Sequence, residues 1–99
     1  MKTETCKAAL ETWGAVSQTN MMFEEMAELQ KELCKHARGA DNTVYIAEEI
    51  ADVLIVLEQM IILHDCREMV ADWETVKLLR LRRRIEDDKH SRRTLDKGR

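Results

Sequence analysis

The chain writes one phrase twice. Phe23-Glu24-Glu25-Met26-Ala27-Glu28-Leu29 is echoed 24 positions later by Ala47-Glu48-Glu49-Ile50-Ala51-Asp52-Val53. Each copy reads acid, acid, apolar, Ala, acid, apolar, and each sits in a run whose apolar residues recur every three or four positions, the spacing of an amphipathic helix. At about 100° per residue, Met22, Met26, Leu29 and Leu33 form one stripe, and Ile46, Ile50, Val53 and Leu57 form the matching stripe of a second helix. These are the expected core faces. Glu25 and Glu49 stand at the same offset from their stripes, as do Glu28 and Asp52, on the flank of the seam. Glu24 and Glu48 point to water. Antiparallel packing of the two stripes would bring Glu25, Glu28, Glu49 and Asp52 to one rim of the core.

Four carboxylates gathered at one rim repel one another more than a helix surface carries without a reason. A cation resolves the repulsion. An all-oxygen donor set with no convergent Cys or His favours a hard ion, Mg²⁺ or Mn²⁺ before Zn²⁺. Mg²⁺ keeps several waters and shares its shell with substrate phosphates. A single E-x-x-E reads equally well as an ordinary solvated helix face; the second copy at the same angular offset is what favours a metal site.

Composition narrows the fold class. Proline is absent, glycine occurs three times, and 35% of residues are charged in a Leu/Ile/Met/Ala background, which is an all-α composition. Ninety-nine residues make one domain with a modest core, and association would help it. The net charge of −3 gives no basic field for a nucleic-acid polymer. Cys6, Cys34 and Cys66 are odd in number, widely spaced and without C-x-x-C, as in a reducing compartment. They read as small buried hydrophobes or exposed thiols. No apolar run reaches membrane-spanning length and no signal peptide is expected, so the expected location is cytoplasmic.

Along the chain, Thr3 is the expected N-cap of a short helix to about Trp13 that turns Ala9, Leu10 and Trp13 inward. Gly14 ends or bends it. Ser17 or Asn20 restarts a helix to about His36, with Arg38-Gly39 as its stop. Asp41, Asn42 or Thr43 caps a third helix to about Leu63. His64-Asp65-Cys66-Arg67 reads as a turn, and a fourth helix is expected from about Val70 to Ile85, packing Trp73, Val76 and Leu79, with Leu78 and Leu81 as further packing candidates. Residues 1–88 thus form an all-α, four-helix-bundle-like domain, and residues 89–99 a charged flexible tail.

The acid pattern carries a resemblance. Glu25-x-x-Glu28, a gap of 20 residues, then Glu49-x-x-Asp52 resembles the E-x-x-E…E-x-x-D signature of the MazG-like all-α nucleoside triphosphate pyrophosphohydrolases. The likeness extends upstream through Trp13-Gly14-x-x-x-Gln18 and downstream through the run from Ile46 to Ile55, which is similar to small phage-type members. It covers about residues 10 to 85. The resemblance implies a MazG-type fold, and it implies hydrolysis of a nucleoside triphosphate to monophosphate and pyrophosphate, in a nucleotide-pool or house-cleaning role. It also implies Glu25, Glu28, Glu49 and Asp52 as Mg²⁺ ligands and catalytic residues. Relatives of this size assemble as dimers or tetramers, so a homodimer or homotetramer is expected, its subunits completing each four-helix core.

Around the acids, Gln18 is a candidate to hydrogen-bond base or sugar, or a helix-start residue. Lys35 is a candidate phosphate contact, or a balance to the acids. Trp13 reads as core before base-stacking platform. Glu32 reads as a partner of Lys35 or His36. Family members often supply basic residues and an Asn from the last helix; Lys77 and Arg84 have compatible spacing, but Leu81 stands where the Asn would be. The scattered His36, His64 and His90 form no E-x-x-H with the acids, which argues against a di-iron site. The alternative reading is a non-catalytic helical interaction or regulatory module whose acids pair with Arg80, Arg82, Arg83 or Arg84 of a neighbouring subunit.

Overall fold

The computed structural model describes residues 1–97. Its four helices are α1 (Lys2–Trp13), α2 (Ala15–Ala37), α3 (Thr43–Leu63) and α4 (Arg67–Lys97), with no strand among the described residues. The all-α expectation holds. The chain divides into two compact units, Met1–Asp65 and the segment from Cys66 onward.

In the first unit, α1 begins two residues earlier than a Thr3 cap would place it. Met1 occupies the cap position and makes no side-chain cap bond, and the Thr3 hydroxyl instead donates to Glu58 Oε2 of α3 at 3.5 Å. Gly14 separates α1 from α2 with no loop at all: its N–H closes α1 on the Leu10 carbonyl at 2.9 Å, and its own carbonyl accepts the Gln18 N–H of α2 at 3.1 Å. Its φ of 89° and ψ of 163° lie in a region that essentially only glycine occupies. The restart therefore comes at Ala15, ahead of Ser17 and Asn20. Trp13, expected inward, is 64% exposed at the end of α1, because the chain turns away at Gly14 before a neighbour can cover the ring.

The α2–α3 connection closes as the Arg38-Gly39 pair predicts. The Ala40 N–H reaches back to the Lys35 carbonyl at 3.0 Å and the Gly39 N–H to that of His36 at 2.9 Å, the paired bonds of a Schellman ending that needs Gly39 at φ 101°. Asn42 starts α3 without a side-chain cap bond. Its amide donates instead to the Glu32 carbonyl at 2.9 Å and Glu32 Oε2 at 2.7 Å, tying the loop to α2. At the far end of the pair Thr19 Oγ1 approaches Met60 Sδ at 3.9 Å, so the two helices run antiparallel.

Their seam is not the one the stripes predict. Met22 is buried and Leu29, Ile46 and Val53 are half-buried, but Met26, Leu33, Ile50 and Leu57 are exposed. The helices are rotated about their axes towards the acidic flank, so Gln18, Val56 and Gln59 are buried and Glu25, Glu32, Glu49 and Asp52 half-buried beside them. Helix α1 meets the opposite side of α3, its Cys6 thiol buried against the Ile55 carbonyl at 3.6 Å. The second half of α3, Val53–Leu63, is apolar nearly all the way round. Three helices cover only part of such a surface.

The second unit is α4, a single helix. It runs from Arg67 to Lys97, well beyond the expected Val70–Ile85, so residues 89–97 of the segment expected to be a flexible tail are helical; positions 98 and 99 fall outside the described residues. An Arg92–Asp88 pair one turn apart at 3.2 Å is the local i,i+4 support that a charged helix uses. Every described side chain of α4 is exposed, including Trp73, Val76, Leu78, Leu79 and Leu81, which were expected to pack. Within its own unit α4 has no second helix to pack them on.

Candidate functional site

The rotated seam builds the site. Glu25 on α2 and Glu49 and Asp52 on α3 each offer a carboxylate oxygen, and the three oxygens lie within 4.8 Å of one another. Turning the acidic flanks inward places these carboxylates where neighbouring helix backbone excludes part of their water. Burial raises the pKa of the Glu25 carboxyl above the ordinary range, and the charges of Asp52 and Glu49, with a hydrogen bond to Asp52, raise it further. Glu49 is raised in the same way, first by burial, then by the charges of Asp52, Glu28, Glu48 and Glu32. Its Oε2 is buried and has no hydrogen-bond partner. An orphaned carboxylate oxygen among like charges is an unfavourable arrangement for a bare protein surface.

Glu28, the fourth acid of the echoed phrase, stays exposed on α2 and lies outside that triplet, although Glu49 feels its charge. Glu24 and Glu48 face water as the wheel predicts. The acids that converge are thus one from the first copy and two from the second.

The surrounding residues separate into different roles. Lys35 pairs with Glu32 at 3.4 Å, so its charge-balancing reading is the one observed; the hydrogen bond from Asn42, and after it that from Lys35, holds the Glu32 carboxyl below the usual range. Gln18 is only 5% exposed and is a seam residue in this conformation. Trp13 projects into solvent. In the α4 unit the Lys77 ammonium stands over the Trp73 ring, 5.9 Å from its centroid, and Arg84 is exposed.

Two buried polar groups escaped the sequence reading. Gln59, 5% exposed, has an Oε1 without a partner; it lies one heptad after Asp52, on the same flank. Glu58, 7% exposed, accepts the Thr3 hydroxyl. The signal was the nearly continuous apolarity of late α3, which means that any polar residue there is covered on some side.

Among the described residues no helix is long and apolar enough to cross a membrane. Compared with protein-family models, curated proteins and solved structures, the chain finds no match in any of the three.

Proposed function

We propose that Glu25, Glu49 and Asp52 hold a divalent cation, Mg²⁺ or Mn²⁺, and that the protein hydrolyses nucleoside triphosphates to monophosphate and pyrophosphate. One observation carries the reading: carboxylates from two helices, in matched phrases, converge within 4.8 Å and leave Glu49 Oε2 buried and unpartnered. The donor set fits a hard cation. It is all oxygen and partly shielded from water, and Mg²⁺ needs only one or two protein carboxylates beside substrate phosphate and water. The echoed E-x-x-E and E-x-x-D add the family resemblance.

When bound, such an ion neutralises triphosphate charge and lowers the pKa of a bound water. The chain's own part is to bind and to place. Glu25, Glu49 and Asp52 would hold the cation against the helix pair, where it would take up phosphate oxygens, and Glu28, whose charge Glu49 feels, would be a further acceptor. A carboxylate of the cluster accepts the proton of the attacking water. Removal of unwanted triphosphates from the nucleotide pool is the biological role this chemistry suits.

The experiment is a pyrophosphate-release assay with Mg²⁺ over a panel of ribo- and deoxynucleoside triphosphates. Turnover of at least one nucleotide is expected, abolished in Glu49→Gln with the circular dichroism spectrum unchanged. No pyrophosphate from any nucleotide removes the enzymatic reading.

A further inference from the structure

Among the described residues, Asn42, Glu49 and Gln59 each bury a side-chain oxygen that has no hydrogen-bond partner. Asn42 is anchored through the other end of its amide, which donates to Glu32, and Glu49 belongs to the acid cluster. Gln59 is explained by neither. It lies in the last turns of α3, 5% exposed, where an apolar side chain of similar length would be less costly than a buried acceptor left unsatisfied.

Helix register places Gln59 relative to the acids. Glu25 and Asp52 are hydrogen-bonded across the antiparallel pair, and seven residues, two turns, return a helix to nearly the same face. Seven back on α2 and seven forward on α3 lead from that pair to Gln18 and Gln59, at one level of the seam and about 10 Å from the acids at ~1.5 Å per residue. Both amides are 5% exposed. The level between them and the acids holds Met22 and Val56, both buried. Along one side of the seam the chain therefore sets carboxylates, then apolar side chains, then two carboxamides. A nucleotide has the same order of chemistry: charged phosphates, a sugar rich in C–H, and a base whose rim forms hydrogen bonds.

We propose that Gln59 reads the base of the nucleoside triphosphate by accepting a hydrogen bond from an exocyclic amino group, so that adenine or cytosine nucleotides are taken in preference to their keto counterparts. The inference rests on the cation and triphosphate reading above and deepens it. The orphaned atom is an acceptor, so the group that completes it is a donor. In adenine and cytosine the amino donor has a ring-nitrogen acceptor beside it, the arrangement that a carboxamide matches with its oxygen and its NH2 together. Hypoxanthine and uracil put a carbonyl oxygen in the place of the amino group, against Gln59 Oε1, where two acceptors meet. Gln18 offers a second amide at the same level, and Met22, unbranched, gives way to the incoming sugar and base by rotamer change.

Steady-state kinetics of the full chain with Mg²⁺ on ATP against ITP and CTP against UTP, ribo and deoxyribo forms alike, test it, because each pair exchanges the amino group for a carbonyl. In at least one pair the amino nucleotide is expected to exceed its keto partner by ~10-fold or more in kcat/KM, the discrimination that a buried hydrogen-bonding group supports. Gln59→Met keeps the side-chain length, removes the acceptor and brings that ratio close to one. Its melting temperature is expected at or above that of the unmodified chain, since no unpaired oxygen remains buried; where Cys6, 2% exposed, loses its protection from alkylation, Gln59→Leu takes its place. Ratios near one in the unmodified chain, a preference for the keto partners, or discrimination that survives the substitution overturns the inference and leaves the hydrolytic reading standing. Where no nucleotide turns over, the hydrolytic reading falls and titration calorimetry compares the same pairs with Mg²⁺: amino-selective binding lost in Gln59→Met upholds the assignment, and unselective or absent binding overturns it.

Discussion

Replacing Asp52 by Asn removes one of three clustered charges at nearly constant shape, and its effect follows from the geometry. Two unit charges 4.8 Å apart, the outer limit of the cluster, repel by about 1 kcal/mol in water and about 3.5 kcal/mol at a dielectric near 20. Glu25 is only half-buried, so the lower figure applies, and relieving the Asp52–Glu25 repulsion alone stabilises the metal-free protein by about 1 kcal/mol. For a domain of this size that raises Tm by roughly 4–8 °C. The new amide also donates a hydrogen bond where a carboxylate only accepts.

The pH dependence has a definite sign. Because the Glu25 and Glu49 pKa values are raised in the fold, the folded chain keeps protons that the unfolded chain releases. Their contribution is most favourable below the ordinary carboxylate range and is lost as pH rises through the raised values. The gap between Asp52→Asn and the unmodified chain should therefore be largest near pH 8 in a chelator and shrink on acidification. Mg²⁺ reverses the order. At 100 times its Kd a ligand adds about 2.7 kcal/mol to the unmodified chain, and the variant gains less. Differential scanning calorimetry at low salt reads all three comparisons. An Asp52→Asn protein that melts at or below the unmodified one in chelator at pH 8, or that gains equally from Mg²⁺, refutes the reasoning.

Two further outcomes follow from the backbone and the thiols. Gly14→Ala meets no steric obstacle, since a Cβ there has nothing within 4 Å, yet φ +89° strains any side-chain-bearing residue; a loss of about 1–3 kcal/mol, read by urea unfolding, is expected, and an unchanged midpoint would mean that the α1–α2 junction relaxes freely. In the native protein a maleimide should label the exposed Cys34 rapidly while Cys6, buried and with its thiol pKa raised by burial and the nearby Glu58 charge, reacts only after denaturation; equal rates would place Cys6 outside the core.

Local chemistry wrote most of the helical plan. The echoed phrases mark two helices, Gly14 and Arg38-Gly39 mark their ends, and the end of α3 at Leu63 agrees with the periodicity, because each depends on residues within a turn or two. The same spacing identified Glu25, Glu49 and Asp52 as a set. It did not identify Glu28 as the member left outside, nor Trp13 as exposed, nor Asn42 as the tie to Glu32. A helical wheel states which residues share a side; it does not state which of two adjoining sides a neighbour covers. In this chain the α2–α3 seam lies towards the acids, which brings three carboxylates together and leaves Met26, Leu33, Ile50 and Leu57 open. Turning a helix about its own axis leaves every local hydrogen bond intact, so only contacts between residues far apart in the chain choose the angle.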